Sequence, residues 1–195
     1  MNVRMWLPAV LVLLGCASTR LTEVHANPNG VSHPFGKVLV VALGASEETR
    51  NACEAAVTSK LIAEGVTSTA SRTLFASSTE VTKEALRERA QADGFDGVLV
   101  SRLVGVKKGE EYSLSRADSY MEWFEYHDSL AADPVIGGNT ETFIIETRLF
   151  DAKTEALVYT AVSESFEPRS RDQVISELAP LIVKDLEKRK MIVTK

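Results

Sequence analysis

The sequence predicts a single domain of the α/β (α+β) class: a mixed sheet of about five strands with three helices, in the order β-α-β-α-β-β-β-α. Three observations predict it. Two continuous apolar runs rich in β-branched residues, Lys37–Leu43 and Val98–Val106, are each joined to their neighbours through a capped amphipathic segment. Two further runs flank a five-residue polar turn, Asp151–Glu155. A long stripe of apolar residues at helical spacing closes the chain.

Lys37–Leu43, ended by Gly44, reads as a strand buried on both faces. Ser46 followed by Glu47 and Glu48 places a cap and two anions at the positive end of a helix dipole. That helix is expected to run to Glu64 and stop at Gly65, with Cys53, Ala56, Val57 and Leu61 on its apolar side. Cys53 accordingly reads as a small core residue. Val66–Phe75 alternates weakly and is expected to be a strand. Thr82 caps a second helix that Gly94 ends, and Val98–Val106 follows as the clearest strand of all. Strand, helix, strand, helix, strand implies a parallel component with helical crossovers.

The pattern then changes. Lys107–Gly138 is polar, with aromatic residues at Tyr120, Trp123, Phe124 and Tyr126. Thr142–Phe150 and Ala156–Ser163 form a hairpin around the Asp151 turn. Ser170 or Asp172 caps the last helix, whose stripe is Val174, Ile175, Leu178, Ile182 and Leu186. Pro180 lies inside it, removes one backbone bond and is expected to kink it near Ser176.

Residues 1–15 have the parts of a secretory signal: a cation at Arg4, an apolar run from Met5 to Leu14, and small Gly15 at the cleavage point. The run is about half the roughly twenty residues a spanning helix needs. Leu13-Leu14-Gly15-Cys16 resembles the lipobox of bacterial lipoproteins. That resemblance implies a diacylglycerol on the Cys16 thiol, cleavage before Cys16 and acylation of the new amine. It also implies, since no aspartate follows Cys16, an outer-membrane location with the domain facing the periplasm. Residues 16–34 show no apolar period and contain Asn27-Pro28-Asn29-Gly30 and His33-Pro34, so they read as a flexible tether with an extended reach of about 60 Å. The domain is then 35–195.

Composition is globular, at 45% hydrophobic and 25% charged, and the net charge of −5 argues against nucleic acid as a partner. The chain has two cysteines, so an acylated Cys16 leaves Cys53 without a partner for an intramolecular disulfide.

The element order, with Gly94-Phe95-Asp96-Gly97-Val98-Leu99-Val100, Ile145–Thr154 and Ile182-Val183-Lys184-Asp185-Leu186, resembles the TolB N-terminal-like (LpoB/CsgG-like) domain of envelope lipoproteins. The resemblance implies an aspartate-led turn into a buried strand, a hairpin, and a helix packed on the sheet. That family shares no active site, so it carries no catalytic residues or cofactors to this chain.

The residues themselves offer little chemistry. No phosphate-binding glycine loop, His-Glu-x-x-His or paired zinc cysteines occur. The histidines are His25, His33 and His127, and two of them fall in the expected tether. The one unusual stretch, Asp118 to Asp128, sets Asp118, Glu122, Glu125, His127 and Asp128 among Tyr120, Trp123, Phe124 and Tyr126. Three readings stay open: aromatics folded back on the domain, an exposed patch for a protein partner or glycan, or a divalent-metal site. The functional expectation is a non-enzymatic envelope lipoprotein, bound to the membrane through Cys16, that serves an envelope protein partner. The alternative is an envelope hydrolase or metal-binding protein using the 118–128 loop.

Overall fold

The computed structural model describes residues 18–27, 33–43, 46–107 and 142–195. Its elements are β1 (Thr19–Ala26), β2 (Lys37–Leu43), α1 (Glu47–Glu64), β3 (Thr67–Ala70), α2 (Lys83–Ala92), β4 (Gly97–Lys107), β5 (Thr142–Asp151), β6 (Leu157–Phe166) and α3 (Arg171–Lys188). Short 3₁₀ turns at Ser71–Thr73 and Ser78–Glu80 lie between β3 and α2. The mixed α/β sheet has six strands in the order β1-β6-β5-β4-β2-β3. β2 pairs in parallel with β3 and β4, while the β4–β5, β5–β6 and β6–β1 pairs are antiparallel.

The caps are those the sequence announces. Ser46 Oγ accepts from Thr49 N, Thr82 Oγ1 from Ala85 N and Ser170 Oγ from Gln173 N. Gly65 closes α1 with φ 106°, a left-handed conformation that a side chain would strain. Asp151 holds the hairpin turn by accepting from the Lys153 and Thr154 amides at 3.0 and 2.7 Å. Asp96 accepts from Gly36 N and Lys37 N at 2.8 and 2.9 Å, locking the start of β4 against the start of β2. A Cβ on the neighbouring Gly97 would sit 3.0 Å from the Phe35 ring, so the bare backbone is what lets Phe35 bury completely.

The sheet has two differently covered faces. On one, α1 and α3 bury Val38, Val40, Leu99, Leu149, Tyr159 and Ala161 against Val57, Leu61, Leu178 and Ile182. Tyr159 donates from its hydroxyl to Asp185 Oδ2 of α3 at 3.0 Å. On the other, Leu39, Val41, Val98, Val100 and Phe150 pack with Leu86 and Ala90 of α2. Pro180 does not end α3, which continues to Lys188; Pro180 and Ser176, whose carbonyl loses its donor, are both exposed.

Two expectations need correcting. Residues 19–26 are not tether but an edge strand, paired with β6 from Thr19↔Ser165 to Ala26↔Tyr159. A register shift between Leu21 and Glu23 breaks the alternation, so no period-2 signal is legible although Leu21, Val24 and Ala26 all pack on the core. The sheet therefore gains a sixth strand, and the folded body begins ahead of residue 35. The strand expected over Val66–Phe75 is only Thr67–Ala70, because Ser71 and Arg72 turn away to donate to a buried carboxylate, Glu54.

Candidate functional site

Cys16 and the segment expected to be a signal peptide lie outside the described residues. So do Tyr120, Trp123, Phe124 and Tyr126, and Asp118, Glu122, Glu125, His127 and Asp128. The structure does describe where both segments join the fold. Phe166 N donates to Ser18 O at 3.0 Å, Thr142 stands opposite Phe166, and Lys107 stands opposite Thr142. Ser18, Phe166, Thr142 and Lys107 thus form one row across four adjacent strands, about 15 Å from end to end. This is the end of the sheet at which the parallel strands finish. Two stretches far apart in sequence converge there.

The start of β1 is tied down at that row. Glu177 Oε2 of α3 accepts from Ser18 N at 3.0 Å, Thr19 N at 2.8 Å and Ser18 Oγ at 3.2 Å. Gln173 Nε2 donates to the other oxygen at 2.9 Å. Burial raises the Glu177 pKa, but the bonds from Gln173, Thr19 and Ser18 outweigh it and hold the carboxyl below its ordinary value of 4.5. A lowered folded-state value stabilises above the unfolded value, and the benefit is lost as pH falls through the folded one. Protection of the β1 amides from hydrogen exchange is therefore expected to weaken as pH drops below 4.5, and Glu177→Gln is expected to flatten that dependence. Identical pH profiles in the two proteins would contradict the tie.

Away from α2, the second face of the sheet carries charged residues beside the buried Ile144 and Val162. On β4 and β5, Glu146 lies between Arg102 and Arg148, with its oxygens 3.4 and 2.7 Å from their Nη2 atoms. All three are buried. The same face continues to the outer strands as exposed pairs, Arg20–Glu164 at 3.4 Å and His25–Glu23 at 2.6 Å. His25 is thus carried on a strand, though 71% of its side chain is exposed. Sequence reasoning missed the triad. The available signal was charge inside two strands that otherwise read as core, Arg102 in β4 and Glu146 and Arg148 in β5.

A second buried ionic cluster sits where β2 ends and α1 begins. Glu54 Oε1 accepts from Ala42 N, Arg50 Nε and Ser71 Oγ, and Oε2 accepts from Arg72 N at 2.7 Å. Arg50 reaches on to Glu47 Oε2 at 3.1 Å. Each atom here is used to join α1 to β2 and the turn after β3, and Ser71 is fully buried. Beside it the Cys53 thiol is pushed up to about 12 by burial, with the Glu54 charge adding to the effect. It stays protonated and unreactive near neutral pH, as a core residue should. Among the described residues no group of three or more His, Cys, Asp or Glu is placed to hold a metal ion.

No family model and no curated protein matches this chain. Solved structures do. The chain is similar to a PelC dodecamer from Paraburkholderia phytofirmans, at 13% identity over 90% of this chain and 98% of that one, with a TM-score of 0.46. It is also similar to lipoprotein GNA1162 from Neisseria meningitidis, at 13% identity over 78% of this chain and 99% of that one, with a TM-score of 0.43.

Proposed function

We propose that this chain is an envelope lipoprotein with no chemistry of its own. Acyl chains on Cys16 hold it at the outer membrane, and its α/β domain, TolB N-terminal-like in kind, faces the periplasm and serves an envelope protein partner. The observation that carries the reading is the apolar run closing on Leu13-Leu14-Gly15-Cys16. No helix among the described residues is long and apolar enough to cross a membrane. The partner part of the reading rests on Tyr120, Trp123, Phe124 and Tyr126, side-chain types that dominate binding energy at interfaces. Tethering supports it, because confinement beside a partner raises the effective concentration and lets a weak contact suffice.

The test is chemical. In a bacterial host the native protein is expected to fractionate with outer membranes and to show acyl mass on Cys16. One chain binds only marginally at about 0.8 kcal/mol per buried CH₂, whereas several together hold indefinitely. Cys16→Ala is expected to lose the acyl mass and leave the outer-membrane fraction. A native protein that is soluble and unacylated overturns the proposal.

A further inference from the structure

We infer that the sheet end formed by Ser18 and Phe166 lies on the bilayer, with the Phe166 ring in the lipid interface. The inference rests on the acylation of Cys16 proposed above.

Only Ala17 separates Cys16 from Ser18. Two residues reach at most about 7 Å. Ser18 is not loose either, since its amide and hydroxyl and the Thr19 amide are all held by Glu177. A tether of eighteen residues would leave the domain free to tumble, but one of two residues does not. The anchor fixes which end of the domain meets the lipid.

At that end stands Phe166, hydrogen-bonded through its amide to Ser18 O and 58% exposed. Only one other large apolar residue among those described is as open to solvent: Ile62, at 51%. Ile62 belongs to the far end of α1, about 24 Å along the helix from the Ser46 cap. One exposed apolar residue is therefore beside the anchor and the other is at the opposite end of the sheet. Amphipathic surfaces of this kind settle their apolar side chains about 5–10 Å into the boundary between headgroups and acyl chains. The ionisable residues next to Phe166 are Glu164, paired with Arg20 of β1, and the exposed Glu167, Arg169, Arg171 and Asp172, three of each sign in all. They give no net charge for anionic headgroups to attract or repel, so the contact is apolar and calls for no particular headgroup.

Phe166→Trp and Ile62→Trp, each made in the full-length acylated protein, test this directly in vesicles of zwitterionic phosphatidylcholine with bromine-labelled chains. Emission added by Phe166→Trp is expected to fall roughly twofold or more, and that added by Ile62→Trp to stay unchanged, since the quencher reaches only the interface. Replacing a third of the lipid with phosphatidylglycerol is expected to leave the result as it is. Emission from Phe166→Trp that is unquenched, or quenched no more than that from Ile62→Trp, overturns the inference. So does a blue-shifted but unquenched signal, which would put a protein surface over this residue. If the protein floats with the vesicles and carries acyl mass yet fails this test, only the orientation is wrong. If Cys16 carries no acyl mass, the proposed function falls and takes the orientation with it.

Discussion

Glu54→Ala is expected to lower the stability of the domain by about 3–5 kcal/mol, the range for breaking a buried ion pair from one side. Glu54 is fully buried, and its two oxygens accept from Ala42 N, Arg50 Nε, Ser71 Oγ and Arg72 N. Removing the carboxylate strips all four donors of that acceptor at once. It also leaves the equally buried Arg50 guanidinium facing Glu47, whose side chain is 47% exposed, as its remaining carboxylate in this cluster. The damage spreads across elements, since the same oxygens join α1 to β2 and to the turn after β3. For a domain of this size a loss of that order lowers Tm by about 10 °C, readable by thermal or urea unfolding. The double replacement Arg50→Met with Glu54→Leu is expected to recover part of the loss, because a buried pair exchanged for apolar residues of similar volume is often tolerated. A shift below about 1 kcal/mol for Glu54→Ala would mean the cluster is open to water.

Glu146→Ala is expected to cost as much or more. Glu146 is fully buried and stands between Arg102 and Arg148, which are buried as well. Without it Arg102 and Arg148, diagonal neighbours across the β4–β5 pair, lose the carboxylate that both contact in a poorly hydrated place. Glu146→Gln, which keeps the shape and some hydrogen bonding but not the charge, is expected to fall between the two. Salt should rescue Glu146→Ala only weakly, since buried charges are poorly screened. By contrast, breaking the exposed Arg20–Glu164 pair is expected to change stability by less than about 1 kcal/mol. If Glu146→Ala matched that small effect in urea unfolding, this half of the sheet face would have to be open to solvent.

The two clusters divide the sheet by the way it is covered. Where β2, β3 and β4 run parallel, helices cover both faces, and Glu54 of α1 brings its buried carboxylate to the end of β2. Where the sheet turns antiparallel, the face opposite α1 and α3 carries charge along the strands themselves, from Arg102 through Glu146 and Arg148 to Glu164 and Arg20. Its Arg102–Glu146–Arg148 part is buried, so the charges there are paired, whereas the Arg20–Glu164 end is exposed.

Much of this architecture was legible residue by residue. Ser46, Thr82, Ser170 and Gly65 mark helix ends through bonds made within a few residues, and Asp151 marks the hairpin in the same way. The apolar runs of β2 and β4 mark buried strands, and the stripe of α3 marks the face it buries. Local chemistry of that kind depends on neighbours in the chain, so the α/β order could be read without coordinates. The apolar run closing on Leu13-Leu14-Gly15-Cys16 is a local pattern of the same sort, and its reading as an acylated leader is the proposal made above.

What the sequence withheld depends on partners more than a hundred residues away. β1 is a strand because β6 lies beside it and Glu177 grips its first amides, and its bulge erases the alternation that would have betrayed it. Glu54, Arg102, Glu146 and Arg148 read as polar positions on a helix and two strands. Only the packing of those elements removes them from water and makes them meet. The convergence of Ser18, Phe166, Thr142 and Lys107 on one row has the same origin, because strand order is set by which surfaces bury one another and leaves no mark in the local pattern.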